Sequence, residues 1–382
     1  MTSEWFTMGV EEEFQIIDRQ GQLRSHIETL LAEAAPLLGE DVKAEMLQSV
    51  VEVATPVCQD VHEVRRHVIR LRGAVADLLA PFDLRIASAG THPFANWHEQ
   101  QVTALERYKM LEEEMQDVIR ELLIFGMHVH VAIPDPELRV EVANEARYFL
   151  PHLLALSTSS PFWMGRDTGL KSYRSVVWSR FPRTGIPPEF SCYDEFENYT
   201  DLLVRTGCID NGKKVWWDLR PHCLYPTLEF RICDAATTVD EVVCLAGLIQ
   251  AICAKLVKLR RSNLGFRKYQ PNLIAENKWR ALRHGLDGKL IDFGKGEEVP
   301  MRQLALELLE FVDDVVDQLG SRKDVDYLHE ILAGGTSADR QLRCYRATGS
   351  HQAVVELLAR ETVAGVPHSG SVERSLGTLF PD

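Results

Sequence analysis

Alternation of apolar and polar residues marks a strand near the start of the chain. Between residues 8 and 17 every second residue is apolar except Glu12, while Glu11 and Glu13 occupy the intervening positions. A period of two is the side-chain repeat of a β-strand. The pattern predicts a strand with Glu11 and Glu13 on one face and Glu12 on the other.

The same reading along the chain predicts further strands and several long helices. Short runs rich in apolar and β-branched residues, bounded by Pro, Gly or Asp, predict strands at 50–55, 84–88, 127–133 and 228–233. Apolar residues at helical spacing predict helices at 27–38, 61–79, 102–123, 137–156, 239–260 and 301–319. This order favours a single α+β domain over residues 1–382, with a mainly helical C-terminal portion from about 239.

One long segment, residues 161–190, combines glycines and prolines with tryptophans, arginines and a lysine. Long connections in compact domains are usually functional or disordered, and the large aromatic residues argue against disorder. We interpret this segment as a cover over a substrate or nucleotide.

Composition narrows the classes of partner. The 382 residues are 45% hydrophobic and 26% charged, which is typical of a globular protein. The formal net charge of -14 argues against nucleic acid, because binding to a phosphate backbone requires a basic surface. A small anion can still bind where local cations offset the overall charge.

The cysteines and the apolar runs indicate the compartment. The eight cysteines include no CxxC pair, and we expect most of them to be buried thiols. Glu4 and the glutamates at 11–13 precede any apolar run, so we expect no secretory signal. The apolar run at 242–257 is short for a membrane span and is interrupted by polar residues, which predicts a core helix. These features favour the reduced cytoplasm and no membrane partner.

Candidate chemistry begins with acidic residues and histidines on predicted strands. Glu11 and Glu13 could form a solvated acidic face or could bind a cation. His128 and His130 share one strand face, either as metal ligands or as hydrogen-bonded core residues. Imidazole suits Zn or Fe, whereas carboxylates suit Mg²⁺ or Mn²⁺, so the neighbouring ligands decide the metal.

Two later segments add acidic and basic groups. Alternation across 228–233 places Glu229, Arg231 and Cys233 on one face, as a structural ion pair or as a metal ligand beside an anion-binding group. Glu45 and Glu52 are seven positions apart, so a single strand would point them to opposite faces unless it bends or bulges.

These motifs, in this order, resemble those of the type 2 glutamate-cysteine ligases (the YbdK-like carboxylate-amine ligases). The resemblance rests on Gly9-Val-Glu-Glu-Glu13, Glu52-Val-Ala-Thr-Pro56, Gly126-Met-His-Val-His130, the 160–178 segment, Pro226-Thr-Leu-Glu-Phe-Arg231 and Gly335-Thr-Ser-Ala-Asp-Arg-Gln341. One departure is Arg220-Pro-His-Cys-Leu-Tyr225, where Cys223 and Leu224 replace the family's proline and basic residue, which could alter substrate preference.

The resemblance implies a curved, mostly antiparallel sheet with helices packed outside it, similar to the catalytic domain of glutamine synthetase. ATP and metal ions would bind among carboxylates on the concave face. The implied metal residues are Glu11, Glu13, Glu45, Glu52, His128 and Glu229. The implied residues for the substrate carboxylate or phosphate are Arg174 and Arg231, which would also be the catalytic ones. Beside them, we expect Lys171 to help bind phosphate, Arg220 to contact an anionic ligand, and His130 to lie in the wall of the substrate site and not to bind metal.

The implied reaction is amide formation from a carboxylate and an amine, with glutamate and cysteine as the family's default amino-acid substrates. ATP would convert the carboxylate to an acyl phosphate, and Mg²⁺ or Mn²⁺ would neutralise the charge that develops. Two alternatives stay open: a zinc-dependent amide hydrolase that uses His128 and His130, and a non-catalytic protein that binds nucleotide or amino acid. A homodimer is plausible for an enzyme of this size.

Overall fold

The computed structural model describes residues 5–367, so Glu4 lies outside the described part of the chain. Within these residues the strands are β1 (Met8–Ile17), β2 (Val42–Ala44), β3 (Val50–Ala54), β4 (Arg85–Ala87), β5 (Met127–Ala132), β6 (Phe162–Trp163), β7 (Arg166–Asp167), β8 (Thr184–Gly185), β9 (Trp216–Trp217), β10 (Leu219–Pro221), β11 (Thr227–Phe230), β12 (Lys289–Asp292) and β13 (Glu297–Pro300).

The α-helices of the same residues are α1 (Ile27–Leu38), α2 (Val61–Leu79), α3 (Glu106–Met115), α4 (Asp117–Arg120), α5 (Pro136–Ala146), α6 (Leu150–Ser157), α7 (Arg174–Trp178), α8 (Tyr193–Arg205), α9 (Val239–Arg261), α10 (Pro271–His284), α11 (Met301–Val316), α12 (Arg322–Asp326), α13 (Leu328–Gly334), α14 (Ser337–Thr348) and α15 (His351–Thr362). Short 3-10 turns lie at Gly39–Asp41, Ala80–Phe82, Trp97–Glu99, Arg147–Phe149, Gly212–Lys214 and Gly285–Asp287.

Seven of the described strands form the main sheet, in the order β10-β11-β5-β1-β3-β2, with β4 also paired to β1. Every pairing in this sheet is antiparallel. Strand β1 is central because it pairs with β5 through its first residues, with β3 through its middle and with β4 through its last three. The α+β architecture predicted from the sequence is confirmed.

One face of the sheet packs against helices and forms the main core. Val10, Val129 and Phe230 lie in a cluster that also contains most of α9. Helix α9 begins with a capping box, in which Thr238 and Glu241 each accept a backbone N–H of the other residue. By length and composition α9 could cross a membrane, but most of it is buried inside the protein, as expected of a core helix.

A buried ion pair lies on this same helix-packed face. Glu12 and Arg72 of α2 form a salt bridge, and both side chains are almost completely buried. The Arg72 guanidinium also donates to the carbonyl oxygens of Ala236, Thr237 and Thr362, at 3.0, 2.7 and 2.8 Å. Arg72 therefore connects the central strand to the start of α9 and the end of α15.

Three predicted elements differ from those observed. The helix expected over 102–123 is divided into α3 and α4 by Gln116, whose φ is +52°. The helix expected over 137–156 is divided by the 3-10 turn Arg147–Phe149. The strand expected over 228–233 ends at Phe230, so Cys233 is buried in the core and does not share a face with Glu229.

The cysteines are less buried than expected. Half of the eight are buried, at positions 58, 233, 244 and 253, and those at 208 and 223 are exposed.

Candidate active site

A cavity of about 440 Å³ lies against the other face of the main sheet. Strands β1, β3, β5 and β11 contribute to its floor, and α3, α4 and the 174–181 segment contribute to its walls. Five carboxylates and six lysine or arginine side chains line it, which makes its charge balance quite different from the net charge of -14 for the chain. The cavity can therefore bind anionic ligands, because the charges that line a site set the sign of its electrostatic potential.

One group of potential metal ligands consists of Glu11, His130 and Glu229. One nitrogen or oxygen atom from each of these side chains lies within 4.8 Å of the others. Strand register explains the grouping. His130 of β5 pairs with Glu229 of β11 on one side and with Gly9 of β1 on the other, and Glu11 is two residues after Gly9, on the same face of β1. Nε2 of His130 lies 3.8 Å from Oε1 of Glu11. We call these three residues the first cluster.

A second group consists of Glu13, Glu45 and Glu52, whose carboxylate oxygens also lie within 4.8 Å of one another. Glu13 and Glu52 are directly opposite in the pairing of β1 with β3. Glu45 follows the last residue of β2, and the chain then bends back to β3, so the bend brings Glu45 to the same place as Glu52. We call these residues the second cluster.

Burial and mutual repulsion raise the pKa values throughout the second cluster. Burial, with the nearby charge of Glu52, raises the pKa of Glu13 to about 7, although Arg174 opposes the shift. Burial and the charge of Glu13 raise the pKa of Glu45 to about 7. The pKa of Glu52 is raised well above its usual value by burial and by Glu11 and Glu45. A divalent cation would relieve this repulsion.

The carboxylates of the first cluster are held in the ionised form. Burial alone would raise the pKa of Glu229, but Arg231 and Arg220 hold it well below its usual value. Burial likewise opposes ionisation of Glu11, and the hydrogen bond from His128 lowers its pKa. The first cluster is therefore anionic at neutral pH.

The positions of the two histidines do not match their expected roles, in which His128 binds metal and His130 lies in the wall of the substrate site. His130 lies with Glu11 and Glu229, and its Nδ1 is 3.1 Å from Oγ1 of Thr227. Nδ1 of His128 is 3.0 Å from Oε2 of Glu11. Burial and the charge of Arg231 lower the pKa of His128 to about 4, so at pH 7 the neutral ring donates to Glu11. His130 is therefore the better placed potential ligand, and His128 orients Glu11.

Arg231 and Arg174 both lie in the cavity wall. Arg231 forms an ion pair with Glu229 and stacks over the Trp178 ring, 5.7 Å from its centroid. Arg174 donates to the carbonyl oxygens of Arg231 and Ile232 at 3.3 and 3.5 Å. The Nε–H groups of both arginines are buried without a hydrogen-bond partner among residues 5–367. Buried donors are normally satisfied, so these two unpaired groups are exceptions at the cavity wall.

A close approach at Gly126 sets the position of Arg174. A Cβ at Gly126 would collide with the Arg174 guanidinium. The Gly126 N–H donates to Oε2 of Glu13 at 2.6 Å. The absence of a side chain here therefore allows Arg174 to lie beside the second cluster.

Two residues expected to bind anions are committed to protein groups. Nε and Nη2 of Arg220 donate to Glu229 at 2.6 and 3.3 Å, and Nη1 donates to the carbonyl oxygens of Lys213 and Val215. Arg220 thus lines the cavity but supports Glu229 instead of presenting free donors. Lys171 is absent from the lining of the cavity and forms ion pairs with Asp339 and Asp287, so the expectation that it contacts phosphate is corrected.

The segment expected to be a cover contains regular structure. It forms β6, β7, α7 and β8, and it contributes Trp178 and Phe181 to the cavity wall. Cys223 and Leu224 lie in the hairpin between β10 and β11 and are exposed, whereas the cavity is lined by their neighbours His222 and Tyr225. The departure from the family motif therefore lies beside the cavity and not in its wall.

Sequence reasoning missed several residues that line the cavity. The cationic ones are Lys43, Arg107 and Lys213, and the aromatic ones include Tyr108, Trp216 and His222. Arg107 and Tyr108 fall inside the stretch predicted as one continuous helix, where nothing in the periodicity distinguishes them from surface residues. Only tertiary packing places α3 beside the sheet.

Comparisons with known proteins agree with this geometry. A family model described as glutamate-cysteine ligase family 2 matches residues 7–357. A protein of Herpetosiphon aurantiacus, provisionally named glutamate–cysteine ligase 2, is 58% identical over 363 residues, which cover 95% of this chain and 94% of the relative. A protein of Chloroflexus aggregans with the same provisional name is 56% identical over 363 residues, covering 95% of this chain and 93% of that one.

Two solved structures share the fold at low sequence identity. The bifunctional glutathione synthetase from Pasteurella multocida superposes with a TM-score of 0.71 at 15% identity, covering 95% of this chain and 53% of that chain, so this chain spans about half of its length. The glutamate–cysteine ligase of Francisella tularensis, solved in complex with AMP, gives a TM-score of 0.69 at 13% identity, covering 95% of this chain and 89% of the other. The fold implied by the sequence resemblance is thereby confirmed.

Proposed function

This chain belongs to glutamate-cysteine ligase family 2 and is an ATP-dependent carboxylate-amine ligase, and on that premise we propose that it joins the γ-carboxylate of glutamate to the amine of cysteine. The product would be γ-glutamylcysteine, formed through an acyl phosphate. The observation that carries the proposal is the pair of acidic clusters that open side by side into one cavity.

The residues present fit divalent cations of the magnesium type. The second cluster offers only carboxylates, which are the ligands that Mg²⁺ and Mn²⁺ prefer. The first cluster offers two carboxylates and one imidazole, with Thr227 orienting His130 as an outer partner commonly orients a metal-binding histidine. Such cations would neutralise charge on the phosphates and on the reacting carboxylate. The raised pKa values of Glu13 and Glu45 support the same assignment, because a bound cation would favour the ionised carboxylates that burial and mutual repulsion disfavour.

The arginines would position the reactants. With cations bound, the cavity would carry a strongly positive charge and could accept ATP and glutamate together. Arg231 and Arg174 line the cavity and are placed to hold anionic oxygens in line for phosphoryl transfer. The walls of the cavity, including Trp178 and Phe181, would exclude water from the acyl phosphate.

The cysteine thiols support a cytoplasmic location for this activity. Cys208 and Cys223 are exposed free thiols, and such thiols persist in a reducing compartment.

The geometry does not favour the zinc-hydrolase alternative. That mechanism would use His128 and His130 together as ligands, but among residues 5–367 His128 belongs to neither cluster of potential metal ligands. Five carboxylates line the cavity, a donor set that suits hard cations better than it suits zinc.

An assay of ADP release tests the proposal directly. Purified protein with ATP, Mg²⁺, glutamate and cysteine is expected to release ADP and to form γ-glutamylcysteine, detected by mass spectrometry. Glu229→Gln and Glu13→Gln are each expected to lower kcat/KM at least 100-fold, because each removes an anionic ligand. Glu298→Gln is the control, since Glu298 pairs with Arg280 at the surface and is absent from the cavity lining.

Each alternative result has a distinct meaning. Ligation of another amine would correct the substrate and keep the reaction class. Stoichiometric zinc with cleavage of amides in the absence of ATP would support the hydrolase. No ADP release with any pair of amino acids would refute the proposed ligase activity.

A further inference from the structure

The cationic side chains that line the cavity differ in how far their charges are already paired. Arg220 and Arg231 are paired with Glu229, and Nζ of Lys43 lies 3.6 Å from Glu52. Arg107 forms no ion pair with any carboxylate among residues 5–367. Its charge is therefore available to a ligand.

The guanidinium of Arg107 is nevertheless held in place. Its Nη2 donates to the carbonyl oxygen of Ala44 at 3.2 Å and to the Tyr108 hydroxyl at 2.8 Å. The Tyr108 hydroxyl in turn donates to the same Ala44 carbonyl at 2.9 Å, and the guanidinium carbon lies 4.6 Å from the centroid of the Tyr108 ring. Only Nη2 is used, so the Nε–H and Nη1 donors have no partner among the described residues. Within residues 5–367 Lys213 also lacks a carboxylate partner, but no hydrogen bond to that part of the chain holds its ammonium group.

A fixed guanidinium with unused donors is suited to a carboxylate. The planar fork of arginine matches two carboxylate oxygens, and a fixed fork loses little conformational entropy on binding. The surroundings of Arg107 suit an amino acid: Leu111, one turn later in α3, adds an aliphatic wall. Glu45 of the second cluster follows Ala44 directly, so a ligand on Arg107 would lie close to the proposed reaction centre.

We infer that Arg107 binds the carboxylate of an amino-acid substrate that does not react, which is either the α-carboxylate of glutamate or the carboxylate of cysteine. This inference rests on the proposed function, because it requires that an amino acid occupies the cavity beside the second cluster.

Steady-state kinetics with Arg107→Met tests the inference. The KM for one of the two amino acids is expected to rise about 10- to 100-fold, as for loss of a hydrogen bond to a charged group, while the KM for ATP stays unchanged. Arg107→Lys is expected to restore binding only partly, because it keeps the charge and loses the fork. Arg120→Met is the matched control, since it removes the same charge from the neighbouring helix α4 without changing the cavity lining.

Decarboxylated analogues identify which substrate is bound. 4-Aminobutanoate replaces glutamate without its α-carboxylate, and cysteamine replaces cysteine without its carboxylate. The wild-type enzyme is expected to use one of the two analogues at least 10-fold less efficiently than the parent amino acid. Arg107→Met is expected to lose that discrimination and to keep the discrimination for the other pair.

Several results would overturn the inference. They are an unchanged KM for both amino acids, a rise confined to the KM for ATP, or discrimination that Arg107→Met retains for both pairs of parent and analogue. Calorimetric titration of glutamate and of cysteine into both proteins gives a readout that is independent of turnover. If the wild-type protein ligates no pair of amino acids, the proposed function fails; if it ligates and Arg107→Met behaves as wild type, only the role of Arg107 fails. Equal melting temperatures of the variants establish that the fold is intact.

Discussion

Replacement of Arg72 by methionine is expected to destabilise the protein by about 4 kcal/mol. Arg72 is fully buried, and Glu12 opposite it is 2% exposed, so water cannot solvate the carboxylate once its cation is removed. Removing one partner of a buried ion pair typically costs about 3–5 kcal/mol. The three carbonyl oxygens that accept hydrogen bonds from Arg72 would also lose their donor. The expected loss of stability is therefore above the lower end of this range.

Urea denaturation of the wild type and variants measures this effect. Arg85→Met is the control, because Arg85 and Glu356 form an exposed pair between β4 and α15 that should contribute at most about 1 kcal/mol. The double variant Glu12→Leu, Arg72→Met is expected to be more stable than Arg72→Met alone, because it leaves no unpaired buried charge. The reasoning is refuted if Arg72→Met costs less than 1 kcal/mol or if the double variant is the less stable of the two.

Three further predictions concern the site and the response to acid. Gly126→Ala is expected to displace the Arg174 guanidinium and to lower kcat/KM at least 10-fold, measured by ADP release, and unchanged kinetics would contradict the close approach. Thr227→Val is expected to weaken Mn²⁺ binding about 10- to 100-fold in a metal titration, because it removes the partner that orients His130, and equal affinity would argue against His130 as a ligand. Burial lowers the pKa of His92 to about 4 from an ordinary value near 6.5, so the unfolded chain takes up a proton first as the pH falls and stability is lost between pH 6.5 and 4. Urea titrations at pH 7 and pH 5 should show a loss of about 2 kcal/mol from this group, and His92→Gln should remove that part of the difference.

The strand alternation was the most informative part of the sequence. It predicted the bounds of β1 and the opposite facing of Glu11 and Glu12, because a buried face imposes a strict period of two. The predicted bounds of α1 and α2 also agree with the structure, since both helices bury one regular apolar stripe.

Periodicity could not predict where regular structure is interrupted. Tyr108, Met115 and Ile119 are all buried, so the apolar spacing continues across the break between α3 and α4. Gln116 adopts a positive φ. This conformation is usually taken by glycine or asparagine, so a glutamine at this position did not indicate a break in the helix. The end of β11 was equally hidden, since Cys233 is apolar enough to join the core after the strand has stopped.

The partners of charged side chains were the least predictable part of the site. Residue type indicated that Arg220 and Lys171 could bind anions. The pairing of Lys171 with Asp339 depends on contacts between distant segments, and the pairing of Arg220 with Glu229 depends on the register of β10 against β11. The meeting of Glu45 with Glu52 required a bend that the spacing allowed without specifying. Tertiary contacts, and not local sequence, decide which cations remain free for a ligand.

The contribution of β1 to both acidic clusters fixes their separation. Glu11 serves one cluster and Glu13 the other, so two residues of extended backbone, about 7 Å, set the interval between the two proposed ion positions. A strand paired on both sides cannot stretch, and no hinge intervenes within it. The sheet therefore fixes the distance between the two proposed ion positions. Relatives that came to favour other substrates would have to change the helices and loops around the site, because lengthening the strand would shift both ion positions at once.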